Sequence, residues 1–260
     1  MYKKVVFGFI ATIFFALGSA SAQTLSPPRC YFQIKVYHYK TKDQEDKLNQ
    51  YFKNAYKPAL KRAAISLIGF FNTTEQDTDK RFYVLLTFYS KGRMDGLEQR
   101  LAKDTKYQAD AKDYLDANFD SAPYTRIETI VLYAFRTWKL PHVPKLTANK
   151  PDRIYELRSY ESPTEKYHVN KVKMFNDGDE TGLFARLGFN AVFYGDVLIG
   201  SHMPNLMYMT AFENKADRDK HWETFSNDPQ WKTLVAKPEY AHNVSKADII
   251  FLHPTEYSDF

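Results

Sequence analysis

The chain passes twice through one order of elements, at a shift of about 124 residues. Tyr31 to Tyr39 alternates, with Phe32, Ile34, Val36 and His38 on one face and Tyr31, Gln33, Lys35, Tyr37 and Tyr39 on the other, which predicts a strand. Asp43 to about Arg62 has helical spacing, with Leu48, Tyr51, Phe52 and Ala55 on one stripe, and Pro58 is expected to kink or divide it. A short strand at 65–71, a polar loop at 72–80 and an apolar strand at 82–89 follow. A helix over 91–118 breaks near Asp104, and a strand at 127–135 closes the unit. The segment 138–150, with Pro141 and Pro144 and few core residues, reads as a linker. The order then recurs: a strand at 153–160, a helix within 163–187, and two strands within 189–212. Asn214 starts a helix with Asp217 three residues on, and Asp228-Pro229 is an N-cap followed by proline at N1. A strand at 247–252 ends the second unit.

Particular residues support the correspondence. Val36-Tyr37 matches Ser159-Tyr160, Phe88 matches Phe212, Leu101 matches Phe225, and Asp104 with Tyr107 matches Asp228 with Trp231. Each unit has the order β-α-β-β-α-β, a ferredoxin-like arrangement with both helices on one face of an antiparallel sheet. The uncovered sheet face needs a partner, and the other copy supplies one. The expected fold class is therefore α+β: tandem ferredoxin-like repeats packed as in a dimeric α/β-barrel, with helices outside. The expected domains are 30–137 and 151–260, joined by 138–150.

The stretch FNAVFYGDVLIGSHMPNLMYMTAF, Phe189 to Phe212, is nearly free of a polar face, so its two strands should be covered on both sides. Its connection, Ser201-His202-Met203-Pro204-Asn205, has turn chemistry.

Residues 1–22 read as a signal peptide. Lys3 and Lys4 precede the apolar run Val5 to Leu17, and Ala20-Ser21-Ala22 fits a cleavage site that leaves Gln23 first. Export, to a bacterial periplasm, is the expectation, with no stable membrane span after cleavage. Cys30 is the only cysteine, so no internal disulfide forms, and it reads as an incidental thiol near a flexible start. Residues 23–150 carry 22 basic and 14 acidic side chains, and residues 151–260 carry 12 and 17, so the two halves should attract each other, within a chain or between copies. The basic residues are scattered among acids, which argues against nucleic acid.

The C-terminal unit resembles the NIPSNAP family of the dimeric α/β-barrel superfamily. The resemblance rests on Tyr155-Glu156-Leu157-Arg158-Ser159-Tyr160, Lys173-Met174-Phe175, Leu187-Gly188-Phe189, Gly200 to Met209 (GSHMPNLMYM), Trp222, Asp228-Pro229-Gln230-Trp231-Lys232 and Tyr257-Ser258, in order over about 153–258. It implies the fold and leaves activity open. Members are mostly exported or organelle-associated, and the wider superfamily includes small monooxygenases and haem-modifying enzymes. The N-terminal unit has Gln33-Ile34-Lys35 in place of Glu156-Leu157-Arg158, so a site built on that carboxylate exists once per chain.

Glu156, Arg158 and Tyr160 share one face of a strand. They are expected to point into the space between the sheets, with Leu157 towards the helices, either as a structural ion pair or as a polar floor for a ligand. His202 in the turn and His221 on a helix are the candidate proton acceptors. Phe193, Met203, Met207, Tyr208 and Met209 are the candidate apolar lining, and Trp222 belongs to a helical stripe with Arg218 and Phe225. No H-x-x-x-H, C-x-x-C or matching calcium spacing occurs, so neither a metal nor a cofactor is expected. The leading expectation is a binding or interaction module that holds a small, partly apolar ligand or a partner. The alternatives are a cofactor-independent monooxygenase- or isomerase-like enzyme in the same cleft, and a charge-paired oligomeric scaffold.

Overall fold

A computed structural model describes residues 28–74 and 77–260. The leader 1–22 lies outside the described residues. The first half runs through strand β1 (Tyr31–His38), helix α1 (Lys42–Tyr51), a π-helical turn (Phe52–Tyr56), α2 (Lys57–Arg62), β2 (Ile68–Thr73) and β3 (Arg81–Phe88). Four short helices follow, α3 (Lys91–Asp95), α4 (Leu97–Lys103), α5 (Thr105–Asp110) and α6 (Lys112–Leu115), and then β4 (Arg126–Ala134). The second half repeats the order with β5 (Ile154–Glu161), α7 (Glu165–Asn176), α8 (Glu180–Arg186), β6 (Phe193–Ile199), β7 (Asn205–Phe212), α9 (Lys215–Asn227), α10 (Pro229–Val235) and β8 (Lys246–Pro254). Among the described residues no helix is long and apolar enough to cross a membrane.

Local chemistry accounts for several boundaries. Asn214 accepts from the Asp217 backbone N–H at 2.9 Å and so caps α9, and the Asp217 carboxylate accepts from the N–H of Glu213, the residue before the cap, at 3.1 Å. Asp228 accepts from Gln230 and Trp231 N–H groups with Pro229 in the first turn, as the sequence predicts. Asp104 caps α5 by accepting from the Tyr107 N–H at 2.9 Å, which explains the break there. Pro58 does not end its helix. The chain takes a π turn just before it, in which the Lys57 N–H bonds the Phe52 carbonyl, and this relieves the clash a proline ring makes with the preceding turn.

The eight strands close into one antiparallel barrel in the order β1-β3-β2-β8-β5-β7-β6-β4. The halves join along two seams, β4 with β6 and β2 with β8, so no strand edge is left open. Phe32, Phe71, Leu132, Tyr155, Leu157 and Phe193 fill the barrel interior, all at 0% exposure. The helices cover the outside over two further aromatic cores, one around Phe52 and Phe70 and one around Phe184, Phe189 and Phe225.

Three expectations are corrected. Cys30 is fully buried in the barrel core, and its N–H is tied to the Lys139 carbonyl, so it is no part of a flexible start. The connecting segment packs Leu140 and Leu146 against the barrel core, and the N–H groups of Thr147 and Ala148 donate to the Glu213 carboxylate. The faces of β5 are the reverse of those expected. Leu157 points into the barrel, while Glu156, Arg158 and Tyr160 lie under the helices. Side chains alternate along the strand, and the aromatic and aliphatic phase, Tyr155-Leu157, fills the lumen.

Candidate functional site

The outer face of β5 carries a closed polar knot. Glu156, at 0% exposure, accepts from Arg158 Nε at 2.5 Å, from Arg218 Nη2 and Nε at 2.8 and 2.7 Å, and from Trp222 Nε1 at 2.8 Å. Burial pushes its carboxyl up, but Arg218, Arg158 and the Trp222 N–H outweigh that and hold it below its ordinary value. The Arg158 guanidinium lies 3.6 Å from the Trp222 ring centroid, and its Nη1 donates to Tyr160 Oη at 2.8 Å. Tyr160 and Tyr208 hydroxyls are 2.9 Å apart. Close by, Lys171 Nζ donates to Glu180 Oε2 at 3.1 Å, both side chains buried. Burial holds the Glu180 carboxyl above its ordinary value despite that lysine. Glu156 already accepts four bonds, so the knot ties β5 to α9 and leaves no carboxylate position for a ligand.

Open space lies elsewhere, at one end of the barrel. A cavity of about 120 Å³ opens there, and its wall is drawn from seven of the eight strands. Its floor is apolar, with Val36, Ile130, Met207 and Ile250, and its rim is polar, with Arg81, Ser159, His202, Asn205 and Asp248. The two halves reach this rim in matching register. His38 pairs with Arg81 and Val36 with Glu128 in the first half, while Glu161 pairs with Asn205 and Ser159 with Asp248 in the second. His38 Nε2 lies 2.8 Å from Glu128, and His202 Nδ1 lies 3.0 Å from Glu161 Oε1. Asn205 is 3% exposed. Its amide donates to Ser159 Oγ at 2.8 Å, and its Oδ1 has no partner. A buried acceptor of this kind is costly unless something donates to it.

The structure thus divides the residues singled out in the sequence. Glu156, Arg158, Tyr160, Tyr208 and Trp222 meet in the knot. Phe193 is in the barrel wall, its ring centroid 5.0 Å from that of Phe32. His202 and the half-exposed Met203 are at the barrel end, and Met207 is on the cavity floor. His221 packs edge-on to Phe189, with Nδ1 2.8 Å from the Asp217 carbonyl. The sequence analysis missed Arg81, Glu161, Asn205 and Asp248. The available signal was an acid in the lumen-facing phase of a strand, as in Asp248-Ile250-Leu252. It was hidden because the exposed end of a strand tolerates any charge.

Residues 155–259 match the model of the NIPSNAP family. No curated protein matches the chain. Among solved structures, a Lactobacillus acidophilus NCFM protein provisionally described as a monooxygenase is 15% identical with a TM-score of 0.56, over 87% of this chain and 94% of that one. An anthrone oxidase-like protein is 11% identical with a TM-score of 0.51, over 87% and 92%. At these identities the likeness is one of fold. A NIPSNAP family protein from Agrobacterium tumefaciens is 19% identical over 42% of this chain and 98% of its own, with a TM-score of 0.37. The C-terminal unit of this chain belongs to the NIPSNAP family.

Proposed function

We propose that this protein is a small-molecule-binding barrel whose ligand sits at the barrel end, between the two halves. The observation that carries this reading is the cavity with an apolar floor and a polar rim, into whose wall the unpartnered Asn205 Oδ1 is built. Pockets of that composition hold partly apolar ligands by burial and orient them with a few polar groups. A molecule with a small hydrophobic body and a hydrogen-bond donor fits best: the body over Met207 and Ile250, the donor on Asn205 Oδ1. The matching order of elements in both halves supports reading the chain as an internal repeat, with one ligand position made from two units. Export through the leader 1–22 to a bacterial periplasm is part of the proposal. So is the absence of a nucleic-acid partner.

A thermal-melt screen of the full chain against small aromatic and aliphatic amines, alcohols and amides tests the reading. A true ligand at a hundred times its Kd adds about 2.7 kcal/mol of stability. A shift with the wild-type protein that disappears in Asn205→Leu supports it, and a shift that survives in that variant moves the ligand away from this cavity.

A second reading is turnover in the same cavity, of the cofactor-independent oxygenase kind suggested by the names of the fold neighbours. The favouring observation is the contact between His202 Nδ1 and Glu161, a carboxylate-oriented imidazole beside the cavity. It requires activity that depends on pH and is lost in a folded His202→Ala variant.

A further inference from the structure

Three ligand-type side chains meet at the rim of the barrel end from separate parts of the chain. Glu161 ends β5, His202 sits in the β6–β7 turn, and Asp248 is near the start of β8. One ligating atom from each lies within 4.8 Å of the others. We propose that these three residues form a site for one first-row divalent cation.

The donor set is one imidazole nitrogen and two carboxylates, which suits zinc, cobalt or manganese and excludes a soft thiolate-type site. His202 Nδ1 is 3.0 Å from Glu161 Oε1. Neighbouring ligands around an ion with bonds of about 2.1 Å stand roughly 3.0–3.4 Å apart, so this pair is already at coordination spacing. An Asp248 carboxylate oxygen lies within 4.8 Å of both, and all three side chains reach solvent. A second observation comes from the neighbouring wall. Asn205 is the register partner of Glu161, is almost fully buried and lines the cavity beside His202 and Asp248, with Oδ1 unpartnered. An ion held by three protein ligands keeps an open position for water or ligand. Asn205 Oδ1 is an acceptor for such a water.

A lysine stands where the cation would be balanced. Lys246 Nζ lies 3.3 Å from Glu161 Oε1 and 2.9 Å from Asp248 Oδ2, with its side chain 53% exposed. Exposed lysine pairs of this kind are weak, and the side chain is free to swing into solvent. Lys246 therefore reports the electrostatic demand of the two carboxylates and competes with the ion for them. The corresponding end of the first half is built differently. His38 stands in the place of Glu161 and bonds Glu128, with Arg81 in the place of Asn205, so one cation site per chain is expected.

The assignment deepens the cavity reading, because it rests on the same barrel end and would give the ligand a Lewis-acidic neighbour. It is tested with metal alone, so the two fail separately: an organic ligand that does not bind leaves the metal result standing. Titrate the full chain with Co²⁺, following visible absorption and counting bound metal after dialysis. The proposal expects one Co²⁺ per chain. His202→Ala, Glu161→Gln and Asp248→Asn should each weaken binding at least about tenfold. His242→Asn, at an exposed histidine outside the cluster, should leave it unchanged. Lys246→Ala should tighten binding, a gain that no merely structural ion pair would give. Circular dichroism checks that each variant is folded. The proposal is overturned if the wild-type chain takes up no Co²⁺, or if uptake is the same in folded His202→Ala and Asp248→Asn.

Discussion

Glu156 on β5 and Arg218 on α9 form a two-pronged ion pair, with Nε to Oε2 at 2.7 Å and Nη2 to Oε1 at 2.8 Å, beneath the helices of the C-terminal unit. The geometry is the planar fork that arginine offers and lysine does not. With Arg158 and Trp222 it uses all of the buried carboxylate, so its role is to lock strand to helix.

Removing the carboxylate should therefore be costly. Glu156→Gln leaves the buried Arg158 with no carboxylate and Arg218 with only the exposed Asp219, and about 3–5 kcal/mol of stability is expected to go. Arg218→Lys keeps the charge and loses the fork, and should cost less. Urea denaturation at neutral pH measures both. Equal losses in the two variants would contradict the geometric account.

Acid should act through the same group. The ordinary value for a glutamate is 4.5, and Glu156 is held below it. Asp259 is likewise held below its ordinary 3.8: burial raises it, but Lys57, Lys61 and the Ile68 N–H outweigh burial. Each contributes stability that is whole above the unfolded value and is lost as pH falls through the folded one. Glu180 has the opposite sign, since burial raises it and ionisation works against the fold. Stability of the wild type should fall steeply below about pH 4.5, with a flatter acid limb in Glu156→Gln. Urea midpoints from pH 7 to pH 3 give the slopes, and parallel slopes would remove Glu156 from the explanation.

The C-terminus should behave as a clasp across the halves. Asp259 pairs with Lys57 Nζ at 2.7 Å and Lys61 Nζ at 2.6 Å, and accepts from the Ile68 N–H at 2.9 Å. Phe260 is buried in the barrel core. Asp259→Asn should cost about 1–2 kcal/mol, reduced from a fully buried pair because the lysines reach solvent. Deletion of Phe260 should add about 3–5 kcal/mol, as for emptying a large aromatic from a core. Thermal denaturation of the two variants separates the contributions.

Cys30 should be inert in the folded chain. Burial pushes its thiol up to about 11, and the residue is fully enclosed. Iodoacetamide at pH 8 should label it slowly in buffer and rapidly in denaturant. Fast labelling of the native protein would show that the β1 end of the barrel opens readily.

Much of the fold could be read from the sequence because it rests on local signals. Alternation in Phe32-Ile34-Val36 and the caps at Asn214 and Asp228 each depend on neighbours a few residues apart. The faces of β5 could not be settled that way. Glu156 and Tyr155 alternate equally well whichever side the helices take, and only α9, about sixty residues on, decides it. The cluster of Glu161, His202 and Asp248 was invisible for the same reason. Its members are 41 and 46 residues apart, and they meet only because β5 pairs with β7 on one side and with β8 on the other. The π turn before Pro58 belongs to the same class, since a proline in a helical pattern reads as a break unless the packing around Phe52 is known.

The most direct test of the barrel-end site is native mass spectrometry of the chain after incubation with an extract of its own cells, alongside Ser159→Leu. Ser159 lines the cavity and accepts from Asn205, so leucine there fills the space. The account predicts a small molecule of defined mass retained by the wild type and absent from the folded variant. The same molecule retained by both would place the ligand outside the barrel end and contradict it.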